Sequence, residues 1–134
     1  MKKTIISLST SMLLAASAFA STSASATGIE GLSANVGVVS QYIFRGVVQT
    51  DTASASAGVD YENSGFYIGA WGADVQAGLE VDIYGGYNGE LDSGLGYNVG
   101  FTSYQYTGDF DTSYNEVNLG LSYGMFSVTY NVGE

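Results

Sequence analysis

The chain of 134 residues has no cysteine, no histidine and no proline. Without cysteine there is no disulfide, no thiolate metal site and no lipid-modified cysteine anchor. Without histidine the Ser-His-Asp relay, the usual zinc ligands and the commonest general base are all missing, which excludes most hydrolase chemistry. Positive charge is nearly as scarce. Three Lys and Arg face thirteen Asp and Glu, for a formal net charge of −10, and beyond Lys3 the only cation is Arg45. Such a chain repels nucleic acid and anionic membrane faces, so neither is expected as a partner. No segment rich in Lys and Glu suggests a long helix. What remains is nineteen Gly and eleven Tyr with only 12% charged residues, a mixture that argues against disorder and points to an all-β chain.

The N-terminus reads as an export signal. Met1-Lys2-Lys3 is a short basic start, Thr4 to Phe19 is mostly small and apolar, and Ala18-Phe19-Ala20 or Ala24-Ser25-Ala26 offers small residues where a signal peptidase reads. A cleaved signal peptide is expected over residues 1–26, ending after Ala20 or Ala26. Its removal leaves one arginine against thirteen acids, a formal charge of −12. Residues 27–134, roughly 110, suffice for a single domain.

Along that domain the period is two almost everywhere. Ala34, Val36, Val38, Ser40, Tyr42 and Phe44 alternate with Asn35, Gly37, Val39, Gln41, Ile43 and Arg45. Six further runs follow, from Ala53, Phe66, Leu79, Leu95, Glu116 and Phe126, separated by Gly/Asn/Asp/Ser turns. Most of the seven expected strands span roughly 9–13 residues, whereas soluble strands average nearer five or six and a tilted bilayer-crossing strand needs about 9–11. The fold class expected is therefore an antiparallel transmembrane β-barrel of outer-membrane type.

The turns add an independent sign. "ENSG", "GELDSG" and Gly124-Met125 are each flanked, on the apolar face, by aromatic pairs: Tyr61 with Phe66, Tyr87 with Tyr97, Tyr123 with Phe126. Every second connection lies at the same rim, so these six form the interfacial girdle of such a barrel. Tyr42 and Phe44 are expected in a second girdle at the other rim. The girdled turns would face the periplasm, and Gly46 to Asp51, Gln76 to Gly78 and Thr107 to Ser113 would be the outward loops.

If the apolar face meets lipid, Arg45, Asp60, Glu80, Asp82 and Glu116 face the lumen, with Glu62 beside them. A charge on the lipid face costs roughly 2–4 kcal/mol at mid-bilayer, which favours that placement. Arg45 is then expected to pair with one or two interior carboxylates. As a structural group it would pack a small lumen; as a functional one it would shape the field of a pore, and the structural role weighs more. Glu80 and Asp82 share a strand face about 7 Å apart, a spacing that also suits an inverting glycosidase, but any i, i+2 acid pair would match. Asp109 and Asp111 in "GDFDTS" lack the Gly and distal Glu of a calcium loop. No catalytic residue, cofactor or metal site is expected.

"SANVGVVSQYIFRGVVQT", "GVDYENSGFYIGAWGADV" and "LEVDIYGGYNGE", in this order, resemble the TorF-type porin family of proteobacteria, a largely uncharacterised family of outer-membrane β-barrel proteins. The resemblance runs from about Ser33 to Tyr130 and rests most on Phe44-Arg45-Gly46, Gln49-Thr50, Gly65-Phe66-Tyr67 and Trp71. The family pattern usually has Ser where this chain has Val48, and Pro or Gln before the second strand where this chain has Ala and Ser. These departures concern the first loop rather than the fold. The resemblance implies a barrel in the outer membrane of a Gram-negative bacterium, in contact with its lipid and, if it conducts, with small solutes or ions, and it carries no catalytic residues. Family members are longer, seven strands is an odd number, and "TYNVGE" lacks a terminal aromatic, so a barrel truncated at about seven strands is expected.

The functional expectation is passive diffusion of small solutes, with cation preference from the interior acids. The alternatives are a non-conducting structural or adhesive barrel, and a secreted soluble β-sandwich that binds a ligand.

Overall fold

In the computed structural model, the described residues are 29–134 together with the backbone of two strands nearer the N-terminus. The elements in chain order are β1 (Lys3–Ser7), β2 (Ala20–Ser25), β3 (Leu32–Val39), β4 (Ile43–Phe44), β5 (Val47–Val48), β6 (Ser54–Asn63), β7 (Phe66–Val75), β8 (Gly78–Glu90), β9 (Gly96–Tyr106), β10 (Tyr114–Tyr123) and β11 (Phe126–Gly133). Apart from β1 and β2, the signal peptide expected over 1–26 lies outside the described residues.

Seven strands, β3 and β6 to β11, form one antiparallel meander in which each pairs with its neighbours in sequence. β2 pairs with the outer edge of β3, and β1 with the outer edge of β11. No ladder joins β1 to β2, so the sheet is open. Among the described residues there is no helix long and apolar enough to cross a membrane, which says nothing of strands. β6, β7 and β10 have ten residues each, β9 eleven and β8 thirteen, longer than the roughly five or six residues usual for a strand.

The turns follow from local chemistry. Ser64 and Gly65 join β6 to β7 with φ of 51° and 86°, the mirror-image turn whose twist matches paired strands. Gly124-Met125 joins β10 to β11, Gln76-Ala77 joins β7 to β8, and longer segments, 91–95 and 107–113, join β8 to β9 and β9 to β10.

The registers sort the side chains into two unlike faces. Asp60 lies opposite Gly69, Gly69 opposite Tyr84, Trp71 opposite Asp82, Asp82 opposite Tyr104, and Glu116 opposite Thr102. The same ladders put Val59, Ile68, Ile83, Val99, Leu119 and Val128 on the other face. Burial is inverted relative to a soluble sheet: Phe66 is 65% exposed, Ile83 52% and Leu121 50%, while Glu80 is 0% and Glu116 4%.

One expectation is overturned at the first strand. The alternation read through Arg45, but β3 ends at Val39 and the chain turns into a separate hairpin, β4–β5, that folds over the polar face. Tyr42 and Phe44 therefore pack on that face, against Trp71 and Tyr104, and are not in a second lipid-side girdle. The connection expected to begin at Gly46 begins at Ser40, directly after β3. The cause is the turn at Arg45 and Gly46, with φ of 48° and 80°: both central residues are left-handed, which reverses the chain within two residues.

Gly46 has open space where a Cβ would stand, so a substitution there probes the backbone alone. Gly46→Val is expected to lose about 1–2 kcal/mol, the cost of forcing an L-residue into the left-handed region, and Gly46→Asn much less. Urea unfolding of the refolded protein reads this; equal midpoints for both variants would mean that the turn is not held.

Candidate functional site

The hairpin is anchored at its base. The Gln49 and Thr50 amides donate to the Tyr42 carbonyl at 2.8 and 3.3 Å, and the Tyr42 amide donates to Thr50 Oγ1 at 2.9 Å. Thr50 Oγ1 in turn donates to the Thr52 carbonyl at 2.7 Å. The Gln76 amide donates to the Gln49 carbonyl at 3.0 Å, which ties the segment to the β7–β8 turn. Gln49 and Thr50 are buried. Sequence reasoning had noticed Gln49-Thr50 only as part of a resemblance; their role as a tether depends on the hairpin, which alternation hides.

From that base two side chains reach across the sheet. The Tyr42 hydroxyl donates to Glu80 Oε1 at 2.7 Å, with its ring edge-on to Trp71 at 5.7 Å. Burial first, and then the Glu80 hydrogen bond, push the Tyr42 phenol far above its ordinary range, so it stays a donor at any physiological pH. Arg45 grips Glu116 with both ends of its guanidinium, Nη1 to Oε1 at 2.7 Å and Nη2 to Oε2 at 2.9 Å. That hydrogen bonding, stronger than the opposing effect of burial, raises the guanidinium above its usual value. The Phe44 ring lies 4.8 Å from the Arg45 guanidinium carbon, and the Tyr104 hydroxyl adds a longer bond to Glu116 Oε2 at 3.4 Å.

The acids selected from the sequence thus share a face but not a single site. Arg45 meets Glu116, not Glu80 or Asp82. Glu80 meets Tyr42, and Asp60 accepts from the Tyr84 hydroxyl. Glu62 is exposed near the β6–β7 turn. Asp82 and Glu80 each keep one buried carboxylate oxygen, Oδ1 and Oε2, with no hydrogen-bond partner. Around them stand aromatic residues not selected beforehand: Tyr104 stacks on Tyr114 at 4.6 Å, and Tyr106 lies 5.7 Å from Phe110. A signal existed in the same-parity run Tyr104, Tyr106 and Tyr114. Farther along the face, Thr102, Asn118 and Asn131 form a hydrogen-bonded row.

The six girdle aromatics sit on the exposed apolar face beside the turns at 64–65, 91–95 and 124–125. Phe66 and Tyr87 approach to 4.8 Å, and Tyr87 and Tyr97 to 6.1 Å. Phe126 and Phe66 are the most exposed of them, at 76% and 65%. Among the described residues no group of three or more His, Cys, Asp or Glu side chains placed to hold a metal ion occurs.

Beyond Lys3, Arg45 is the only residue after which trypsin can cut. The folded protein is expected to resist, because the Arg45 side chain is held on Glu116. Glu116→Gln removes a charge-assisted contact of about 1.5–3 kcal/mol and should speed the cut roughly tenfold or more. Equal rates for the two proteins would show that the ion pair does not hold the hairpin.

No curated protein and no solved structure matches the chain. A family model does, over residues 23–133: the chain belongs to Gcw_chp, a bacterial protein family of unknown function.

Proposed function

We propose that the protein is an outer-membrane β-barrel of porin type, exported by a cleaved signal over residues 1–26, that passes small solutes and prefers cations. The observation that carries the reading is the inverted burial. A face of Val, Ile, Leu and Phe lies open while Glu80, Asp82 and Glu116 are enclosed. In water such an apolar face is a liability, and in a bilayer it is the lipid contact. The girdle aromatics along one rim, strands of bilayer length and the TorF-type resemblance support the same reading. Cleavage of residues 1–26 would remove β1 and β2, which pair with the outer edges of β11 and β3, and other strands would have to take their places, because open edges are not tolerated in lipid.

Cation preference follows from charge. The polar face carries the charges of Asp60, Glu80 and Asp82, whose field a crossing solute meets, and Arg45 is spent on Glu116. A second reading, a barrel that is folded but non-conducting, has one observation in its favour: the β4–β5 hairpin lies over the polar face and leaves Glu80 fully enclosed. A soluble sandwich lacks a second layer over the apolar face among the described residues.

Membrane fractionation of the expressed protein, with heated and unheated gel migration compared, tests the barrel first. Outer-membrane location with a heat-dependent shift is expected; a soluble periplasmic product without a shift would sink the reading. Reversal potentials in a planar bilayer then test the pore. Cation preference is expected, and Arg45→Ala should increase it while destabilising the fold by about 3 kcal/mol, the low end for stripping one partner from a buried pair, since Arg45 is partly exposed. Anion preference in the wild type would overturn the charge argument, and absence of current would favour the non-conducting barrel.

A further inference from the structure

Three features of the polar face invite a further role. The hydroxyl and amide row of Thr102, Asn118 and Asn131 satisfies itself, and the Arg45–Glu116 pair is neutral and closed. The pair that remains is Glu80 and Asp82. Two residues apart on β8, they point to one face, and both are at least nine-tenths enclosed, at 0% and 9% exposure. Glu80 Oε1 is taken by Tyr42. Glu80 Oε2 and Asp82 Oδ1 have nothing. A buried carboxylate oxygen without a donor is costly, and two adjacent anions compound the cost. Arg45, the one cation beyond Lys3, is engaged by Glu116.

We propose that Glu80 and Asp82 form an internal binding site for a small divalent cation of the calcium class, with the Tyr42 hydroxyl closing over it from the folded-in hairpin. Carboxylate oxygens are hard donors and suit hard cations. A single divalent ion matches the two negative charges, and their full enclosure favours a bare or partly hydrated ion over an organic cation. With no third acidic or imidazole group alongside, water fills the other positions. The affinity expected is therefore weak, with a Kd of roughly 10⁻⁴ to 10⁻³ M. Weak binding is also what a conducting path needs, since an ion must leave as readily as it enters. The site deepens the pore reading, yet its occupancy does not require current.

The test uses the full chain refolded in detergent and terbium as the calcium stand-in. Trp71 is the only tryptophan and lies directly opposite Asp82 in the β7–β8 ladder, so exciting it reports an ion at this site and little from the exposed Asp109 and Asp111. Saturable terbium emission, displaced by calcium, is expected in the wild type and in D109N/D111N. In E80Q/D82N it should weaken at least tenfold, with each variant's fold confirmed by heat-dependent gel migration. Absent emission, or emission unchanged in E80Q/D82N, would falsify the site. Should that double variant not fold, the wild type decides: a calcium-dependent rise of its heat-shift midpoint supports the proposal, and no rise overturns it. Terbium binding without bilayer current would leave the site standing and remove the pore; current without terbium binding would do the reverse.

Discussion

Strand alternation commits each face of the sheet to a different surrounding, and the ladder registers keep that commitment aligned across seven strands. Asp60, Asp82 and Glu116 sit on β6, β8 and β10, yet their ladder partners place them all on one face. A slip of one residue in any ladder would move a strand's carboxylates among Ile68, Ile83 and Leu119. Everything else depends on this alignment: the girdle, the enclosed acids and the surface offered to the hairpin. Turn chemistry holds the register, with left-handed Ser64-Gly65 allowing just two residues between β6 and β7.

The hairpin shows how an almost uncharged loop can be drawn over an acidic face. β4–β5 is only two residues per strand and would not persist alone. Its base is tied by Gln49 and Thr50, its middle by Tyr42 on Glu80, and its tip by Arg45 on Glu116. The tip also carries backbone strain, because Arg45 is a non-glycine residue at φ 48°. The bidentate pair offsets that strain and neutralises one buried acid at once.

Much of the fold was legible in the sequence. β6 to β11 announced themselves through period two and Gly/Asn/Asp turns, and their faces were readable because nearly every residue on one parity is apolar. The failure came where parity persisted but the backbone did not. Ser40, Tyr42 and Phe44 continue the apolar phase of β3, so alternation alone could not show that the chain reverses after Phe44. "IFRGVV" did contain the signal, a two-residue Arg-Gly turn between β-branched and aromatic residues. The site was half legible for the same reason. Acids on strands were placed by counting, whereas which acid meets Arg45 depends on a tertiary fold-back that no local count encodes.

The meander has a consequence for assembly. Six successive antiparallel pairings separate β3 from β11, so these two strands run in the same direction, and so do β1 and β2, which flank them antiparallel. Copies of the chain inserted with one common orientation would therefore meet edge to edge only through parallel ladders, whichever edges were joined. An antiparallel seam between copies would need one of them upside down, which, on the proposed barrel reading, a membrane filled from one side would not supply. On that reading self-association through sheet edges is disfavoured by orientation alone, and a strand that pairs antiparallel with β3 or with β11 must run opposite to both, as β1 and β2 do.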